Sequence, residues 1–73
     1  FTYFPNPAND VVNISAKIEM TTIAVYNITG QLLYNRNINA MDSKVDISAF
    51  STGTYFFKLK FGDKEANFKI IKN

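Results

Sequence analysis

Apolar and polar residues alternate along most of this 73-residue chain, and this alternation constrains the fold more than any other feature. In Tyr55–Lys60 (Tyr-Phe-Phe-Lys-Leu-Lys), the odd-numbered residues are all apolar and two of the even-numbered ones are lysine. Similar alternation is present in Val12–Ala16, Ile23–Ile28 and Ala66–Ile71. A period of two places successive side chains on opposite faces of a strand. Since no segment sustains a period of 3.6, the pattern predicts an all-β chain.

Turn signals separate these segments. Asn27–Gly30 and Phe61–Lys64 each contain a glycine, which tolerates the positive φ that tight hairpins need. Gln31–Arg36 is predicted to be the return strand of the first hairpin, and a short strand is predicted around Val45 and Ile47. Short strands roughly ten residues apart indicate a β-sandwich. We therefore expect a small Ig-like or fibronectin-like antiparallel β-sandwich of six to seven strands.

The chain length predicts one domain over residues 1–73. A chain this short buries only about 60% of its unfolded surface, so its core must be dense. Hydrophobic residues make up 47% of the chain and aromatic residues 15%, which supplies that density. Most aromatic side chains are therefore expected in the core rather than in a binding surface. Phe56 and Phe61 are the exceptions, predicted to cover an edge or to mark a partner surface.

The two ends of the chain suggest a piece of a larger protein. The chain starts at Phe1 rather than Met and ends in a predicted strand, so we expect a C-terminal fragment. The proline-containing stretch Phe4–Asp10 looks like a linker and an exit point from an upstream domain. No apolar run approaches the roughly 18 residues of a transmembrane helix.

The residue types argue against catalysis and against a cofactor or metal site. The chain has no His and no Cys, so the most versatile acid–base group and the thiol nucleophile are missing. The spacing of Asp42 and Asp46 does not match a calcium loop, and the glycines form no phosphate-binding loop. A net charge of +2 with scattered lysines does not indicate nucleic-acid binding. We expect neither an enzyme nor a cofactor.

Four segments, in order along the chain, resemble the C-terminal sorting domains, type A, of type IX (Por) secretion system substrates. They are Phe4–Ala8 (Phe-Pro-Asn-Pro-Ala), Ile23–Leu32, Val45–Phe56 and Phe68–Lys72. The third matches the family pattern of a leucine, two residues, glycine, one residue and tyrosine, with Phe50 at the leucine position. Each motif is short, but the ordered set covers essentially the whole chain.

The resemblance implies a non-catalytic signal at the C-terminus of a cargo protein. Such cargo passes through the periplasm and crosses the outer membrane to the cell surface or the medium. The implied partners are the secretion translocon and a sortase-like peptidase that removes the domain. Nucleic-acid binding and stable membrane insertion are not expected. A weak homodimer through edge strands is expected. The motif residues that the resemblance singles out are Pro5, Asn6, Pro7, Gly30, Gly53, Tyr55, Lys69, Ile70, Ile71 and Lys72.

A structural interpretation competes with recognition for each of these positions. Gly53 would give the backbone freedom at a turn, and Tyr55 would pack inward. The segment Lys69–Lys72 would either close the core as a last strand or pair with a partner strand by β-augmentation.

Two other functions stay open at the level of the residues. A carbohydrate-binding or adhesive module would need exposed aromatic side chains in a row. An Ig-like spacer or oligomerisation domain would associate through its edge strands.

Overall fold

The computed structural model describes all 73 residues. Its five antiparallel strands form one curled, half-barrel sheet. The strands are β1 (Thr2–Phe4), β2 (Val11–Tyr26), β3 (Leu32–Asp46), β4 (Gly53–Phe61) and β5 (Lys64–Lys72). The sheet order is β1-β2-β4-β5, and β3 pairs with β2 outside this path. The structure contains no helix long and apolar enough to cross a membrane.

A long bent hairpin of β2 and β3 organises the sheet. The two strands pair from Val11 and Asp46 to Tyr26 and Leu32, but the register shifts between Ser15 and Met20 and again after Met20. At this bend Asn39 has a φ of 46°, which asparagine tolerates better than most residues. Because extra residues on one strand bend it and increase its twist, the hairpin curls and turns its two halves towards each other.

The prediction of an antiparallel all-β fold is confirmed, but that of a sandwich of six to seven strands is not. The predicted strands around Val12 and Ile23 are parts of one strand, β2, and those around Leu32 and Val45 are parts of β3. Polar residues and register shifts interrupt the alternation at the bend although backbone pairing resumes beyond it. β1, which pairs through Tyr3 with Ile14, was not predicted.

The core lies inside the curl and is built by β2 to β5 and the adjoining loops, while Tyr3 of β1 packs against it. Twelve buried side chains form one cluster: Ala8, Val12, Ile14, Met20, Ile23, Val25, Val45, Ile47, Tyr55, Phe57, Leu59 and Ile70. In β4, Tyr55, Phe57 and Leu59 are buried, as the alternation predicted. The inward residues of β5 complete the cluster, since Ile70 is fully buried and Phe68 packs against it.

Aromatic contacts join β1 and β5, the two ends of the β1-β2-β4-β5 path. The Tyr3 ring stacks on Phe68 with centroids 4.1 Å apart, and Phe68 stacks on Phe57 at 5.1 Å. Phe61 also packs against the core, whereas Phe56 stays 41% exposed. Most aromatic rings therefore build the core, as predicted, and Phe56 lies outside it as expected. The same expectation for Phe61 is wrong, and Phe1 and Phe4 are exposed although they were expected in the core.

Candidate functional site

The last strand, β5, has β4 on one side and the chain segment after β1 on the other. The Asn6 carboxamide contacts this outer edge at two points. Its Nδ2 donates to the Lys69 carbonyl oxygen at 3.1 Å, and its Oδ1 accepts from the Ile71 backbone N–H at 3.0 Å. A primary amide offers the same donor and acceptor as a peptide group, so Asn6 takes the place of a residue in a neighbouring strand.

Ala8 extends this contact along the same edge. Its backbone N–H donates to the Ile71 carbonyl at 2.8 Å, and its carbonyl accepts from the Asn73 N–H at 2.9 Å. These bonds form an isolated parallel bridge between Ala8 and Lys72. We call Pro5–Ala8 the edge segment; both X-Pro peptide bonds within it, before Pro5 and Pro7, are cis. The stretch that looked like a linker is therefore part of the fold.

The inner side of β5 pairs with the third sequence motif. Gly53 lies opposite Lys72, and Tyr55 lies opposite Ile70. Gly53 has a φ of 154°, a conformation that residues with a Cβ rarely adopt. The opening, third and last motifs thus meet at the same place, although the first and last are more than sixty residues apart in sequence.

Tyr55 has a structural function at this junction. Its ring is buried and stacks on Phe50 with centroids 5.0 Å apart. Its hydroxyl donates to the backbone carbonyl of Ser51. This arrangement resembles the tyrosine corner of β-sandwich domains, in which a tyrosine hydroxyl bonds to the backbone a few residues upstream. Tyr55 therefore holds the connection that leads from β3 into β4.

The turn that contains Gly30 lies at the same end of the sheet, because β2 ends and β3 begins there. Gly30 has a φ of 86° and donates its N–H to the Asn27 carbonyl at 3.0 Å. The Asn27 side chain holds the rest of the turn, accepting from the backbone N–H groups of Thr29 and Gln31. Asn27 is the first residue of the predicted turn Asn27–Gly30, and asparagine at the start of a turn is a known signal.

All ten predicted motif residues therefore lie at one end of the sheet. It is the end where β2 and β5 finish and β3 and β4 begin, and we call it the motif end. Within β5, Ile70 is buried, whereas Lys69 is exposed and Ile71 is 43% exposed. The terminal strand is thus both a core element and a source of outward side chains, as its alternation predicted.

One carboxylate, at the end of β3, has a perturbed pKa. Hydrogen bonding by the Ser48 hydroxyl, and next by the Ser48 backbone N–H at 2.9 Å, lowers the pKa of Asp46. The carboxylate is fully exposed. We therefore interpret this contact as part of the loop after β3 and not as part of a catalytic site. No group of three or more Asp, Glu, His or Cys side chains is close enough to hold a metal ion.

Comparison with known proteins identifies the family. Residues 2–73 match the family described as "Secretion system C-terminal sorting domain". The chain is also similar to a funoran endo-beta-hydrolase of Wenyingzhuangia aestuarii, with 28% identity over 64 residues. That match covers 84% of this chain but only 9% of the hydrolase. The similarity therefore concerns a small part of that protein.

The chain belongs to the secretion system C-terminal sorting domains. It is a non-catalytic signal of the type IX (Por) secretion system. The sorting domain engages the secretion machinery, so that the cargo reaches the cell surface or the medium. The family match supports this function over the carbohydrate-binding and spacer alternatives. The individual motif residues stay predictions as recognition sites, since their observed contacts are those of the fold.

Proposed function

We propose that this is a type A sorting domain and that the secretion machinery recognises its folded motif end. The observation that supports the proposal is the convergence of the edge segment, the Gly53–Tyr55 pair and the terminal strand in one hydrogen-bonded unit. A linear tag would not need this arrangement. A folded signal would need this arrangement, because the machinery could then distinguish a folded domain from an unfolded chain.

The route of the cargo is part of this proposal. The cargo reaches the periplasm through a separate N-terminal signal, and the translocon then engages the sorting domain. A sortase-like peptidase removes the domain, and the cargo is anchored at the surface or released. In this scheme residues 1–73 are a substrate of the peptidase and form a single domain joined to an upstream cargo.

A secretion assay tests the proposal. A periplasmic reporter joined to residues 1–73 is expected to appear outside the cells in a competent host. Deletion of Lys69–Asn73 is expected to retain the reporter in the periplasm. Since this deletion removes the buried Ile70, a milder variant is also needed. Replacing the outward Lys69 by alanine keeps the core, and Lys64→Ala in the same strand is the matched control.

The outcomes distinguish recognition of the last strand by the secretion machinery from a purely structural function of that strand. Loss of export on deletion and on Lys69→Ala, with normal export of Lys64→Ala, supports recognition of the terminal strand. Export that survives the deletion would overturn the function assigned to this strand. Self-association is a separate prediction: β3 pairs only with β2, so its outer edge is free, and sedimentation of the isolated domain tests for a dimer.

A further inference from the structure

The outer face of the sheet has an apolar patch at the motif end. Tyr26 lies directly opposite Leu32 on one side and Phe56 on the other, so the three side chains form a row across β3, β2 and β4. Ile71 of β5 lies in the neighbouring row, opposite Thr54 of β4. Leu32 is 47% exposed, Phe56 41% and Ile71 43%. We call Leu32, Tyr26, Phe56 and Ile71 the apolar patch.

Polar residues border the apolar patch on the side that faces the bend of the β2–β3 hairpin. The next row towards the other end contains Asn35, Ala24, Lys58 and Asn67 at mutually paired positions. The row beyond contains Asn37, Thr22, Lys60 and Glu65. The two rows next to the apolar patch are therefore polar apart from the buried Ala24, while the exposed Ile18 and Met41 lie farther away, near the bend of the β2–β3 hairpin. Contiguous exposed apolar side chains with a polar rim are typical of protein interaction sites.

The rim of the apolar patch is basic. Lys69 lies directly opposite Phe56, and the Nζ of Lys58 is 5.6 Å from the centroid of the Tyr26 ring. The acidic residue of these paired rows, Glu65, lies opposite Lys60, two rows away from Phe56. Charge complementarity therefore favours a partner surface with carboxylates around an apolar centre.

The backbone edge next to the patch is already occupied. Asn6 and Ala8 form hydrogen bonds with the outward backbone groups of Lys69 and Ile71 in β5 and of Asn73 just after it. A partner strand cannot add to this part of β5 unless the edge segment leaves. The side chains of Lys69 and Ile71 remain accessible on the face. Face-on docking therefore needs no rearrangement, whereas β-augmentation at this position does.

We propose that the apolar patch with Lys58 and Lys69 is the docking surface for a folded protein of the secretion machinery. The partner surface has an apolar centre and an acidic rim, and it contacts side chains rather than extending the sheet. This inference rests on the proposed function and specifies which surface of the motif end is recognised. Aromatic side chains at the centre and basic ones at the rim are suited to such an interface.

Export of the full-length protein that contains this domain tests the proposal. The patch variant is Leu32→Ser with Phe56→Ser, and the matched control is Ile18→Ser with Met41→Ser. Ile18 and Met41 are 58% and 53% exposed and lie near the bend of the β2–β3 hairpin, away from the motif end. We expect a loss of export of at least about tenfold for the patch variant and less than about twofold for the control.

A second pair of variants tests the rim without removing apolar area. Lys58→Glu with Lys69→Glu is expected to reduce export, because it places negative charge opposite an acidic partner rim. Lys17→Glu with Lys44→Glu makes the same charge change on exposed residues outside the patch. Thermal unfolding of each isolated domain, followed by circular dichroism, checks that all variants fold like the wild type.

The outcomes distinguish this inference from the proposed function. Normal export of both folded patch variants, with export of the wild type still dependent on the domain, would overturn the docking surface and leave the secretion signal intact. Export of the wild-type protein that does not depend on the domain would overturn both. If the isolated wild-type domain sediments as a dimer and the variant with Leu32→Ser and Phe56→Ser as a monomer, the apolar patch is a self-association surface and the proposal is wrong.

Discussion

The side chain of Asn6 and the backbone of Ile71 are joined by a 3.0 Å hydrogen bond across 65 residues of sequence. Through this bond and its partner at Lys69, the proline-flanked opening motif covers the edge of the last strand. The two ends of the family pattern are therefore one structural unit. An exposed strand edge promotes unwanted pairing, and the amide of Asn6 satisfies part of that edge within the chain.

Replacement of Asn6 by alanine is expected to lower the free energy of unfolding by about 1 kcal/mol, because two solvent-exposed hydrogen bonds are lost. Asn6→Asp keeps an acceptor for the Ile71 N–H but has no donor for Lys69, so a smaller loss is expected. Chemical denaturation measures both, and amide exchange at Ile71 should be faster in Asn6→Ala only. Asn9→Ala, at an exposed position nearby, is the control. Equal stability of Asn6→Ala and Asn9→Ala would contradict the assignment.

Tyr55→Phe is expected to lower the free energy of unfolding by about 1–2 kcal/mol. The ring still stacks on Phe50, so the change reports on the hydroxyl and its bond to the Ser51 carbonyl. Tyr34→Phe removes a hydroxyl from a half-buried ring outside this contact and should change stability by less than about 0.5 kcal/mol. Thermal and urea unfolding provide the comparison, and a neutral Tyr55→Phe would show that the corner does not stabilise the fold.

Gly53→Ala is expected to destabilise the domain by about 1–3 kcal/mol. A Cβ at Gly53 would meet no atom within 4 Å, so the loss comes from the φ of 154° and not from a clash. Gly62, with a φ of 70° in the β4–β5 turn, is the informative comparison. Gly62→Asn should be tolerated because asparagine adopts the left-handed region. If unfolding experiments find Gly53→Ala as stable as wild type, the backbone requirement is refuted.

Acid is expected to remove the contribution of the Asp46 loop to stability. The contact with Ser48 lowers the pKa of Asp46 from its ordinary value of 3.8, so the folded state favours the carboxylate. The contribution is therefore complete above 3.8 and is lost as the pH falls through the lower folded pKa. NMR titration of the Asp46 carboxyl measures this pKa. Ser48→Ala should raise it, and an unchanged value would exclude the hydroxyl as the cause.

Local patterning was sufficient to predict the strand character of β4 and β5 and the side of each that faces the core. Tyr55, Phe57 and Ile70 are buried where the alternation places them, because a strand sends successive side chains to opposite faces. The hairpin turns at Gly30 and Gly62 were predicted for a similar reason. Their positive φ angles are a local requirement that glycine meets.

The length of β2 and β3 was not predictable in this way. Alternation stops at the bend, where Ser15 and Met20 are successive paired positions in the register, so each long strand looked like two short ones. Which residues continue to pair depends on the partner strand and not on the local pattern. The expected sandwich of six to seven strands became a five-stranded curled sheet for this reason.

The sequence established the all-β class, the inward faces of β4 and β5 and, through its ordered motifs, the resemblance to the family. Tertiary structure alone decided that Asn6 covers the edge of β5, and that Leu32, Tyr26 and Phe56 become neighbours on the outer face. The physical reason is the same in both cases. Turn conformation and side-chain alternation depend on adjacent residues, whereas strand register and edge contacts arise from pairing between segments that are far apart in the chain.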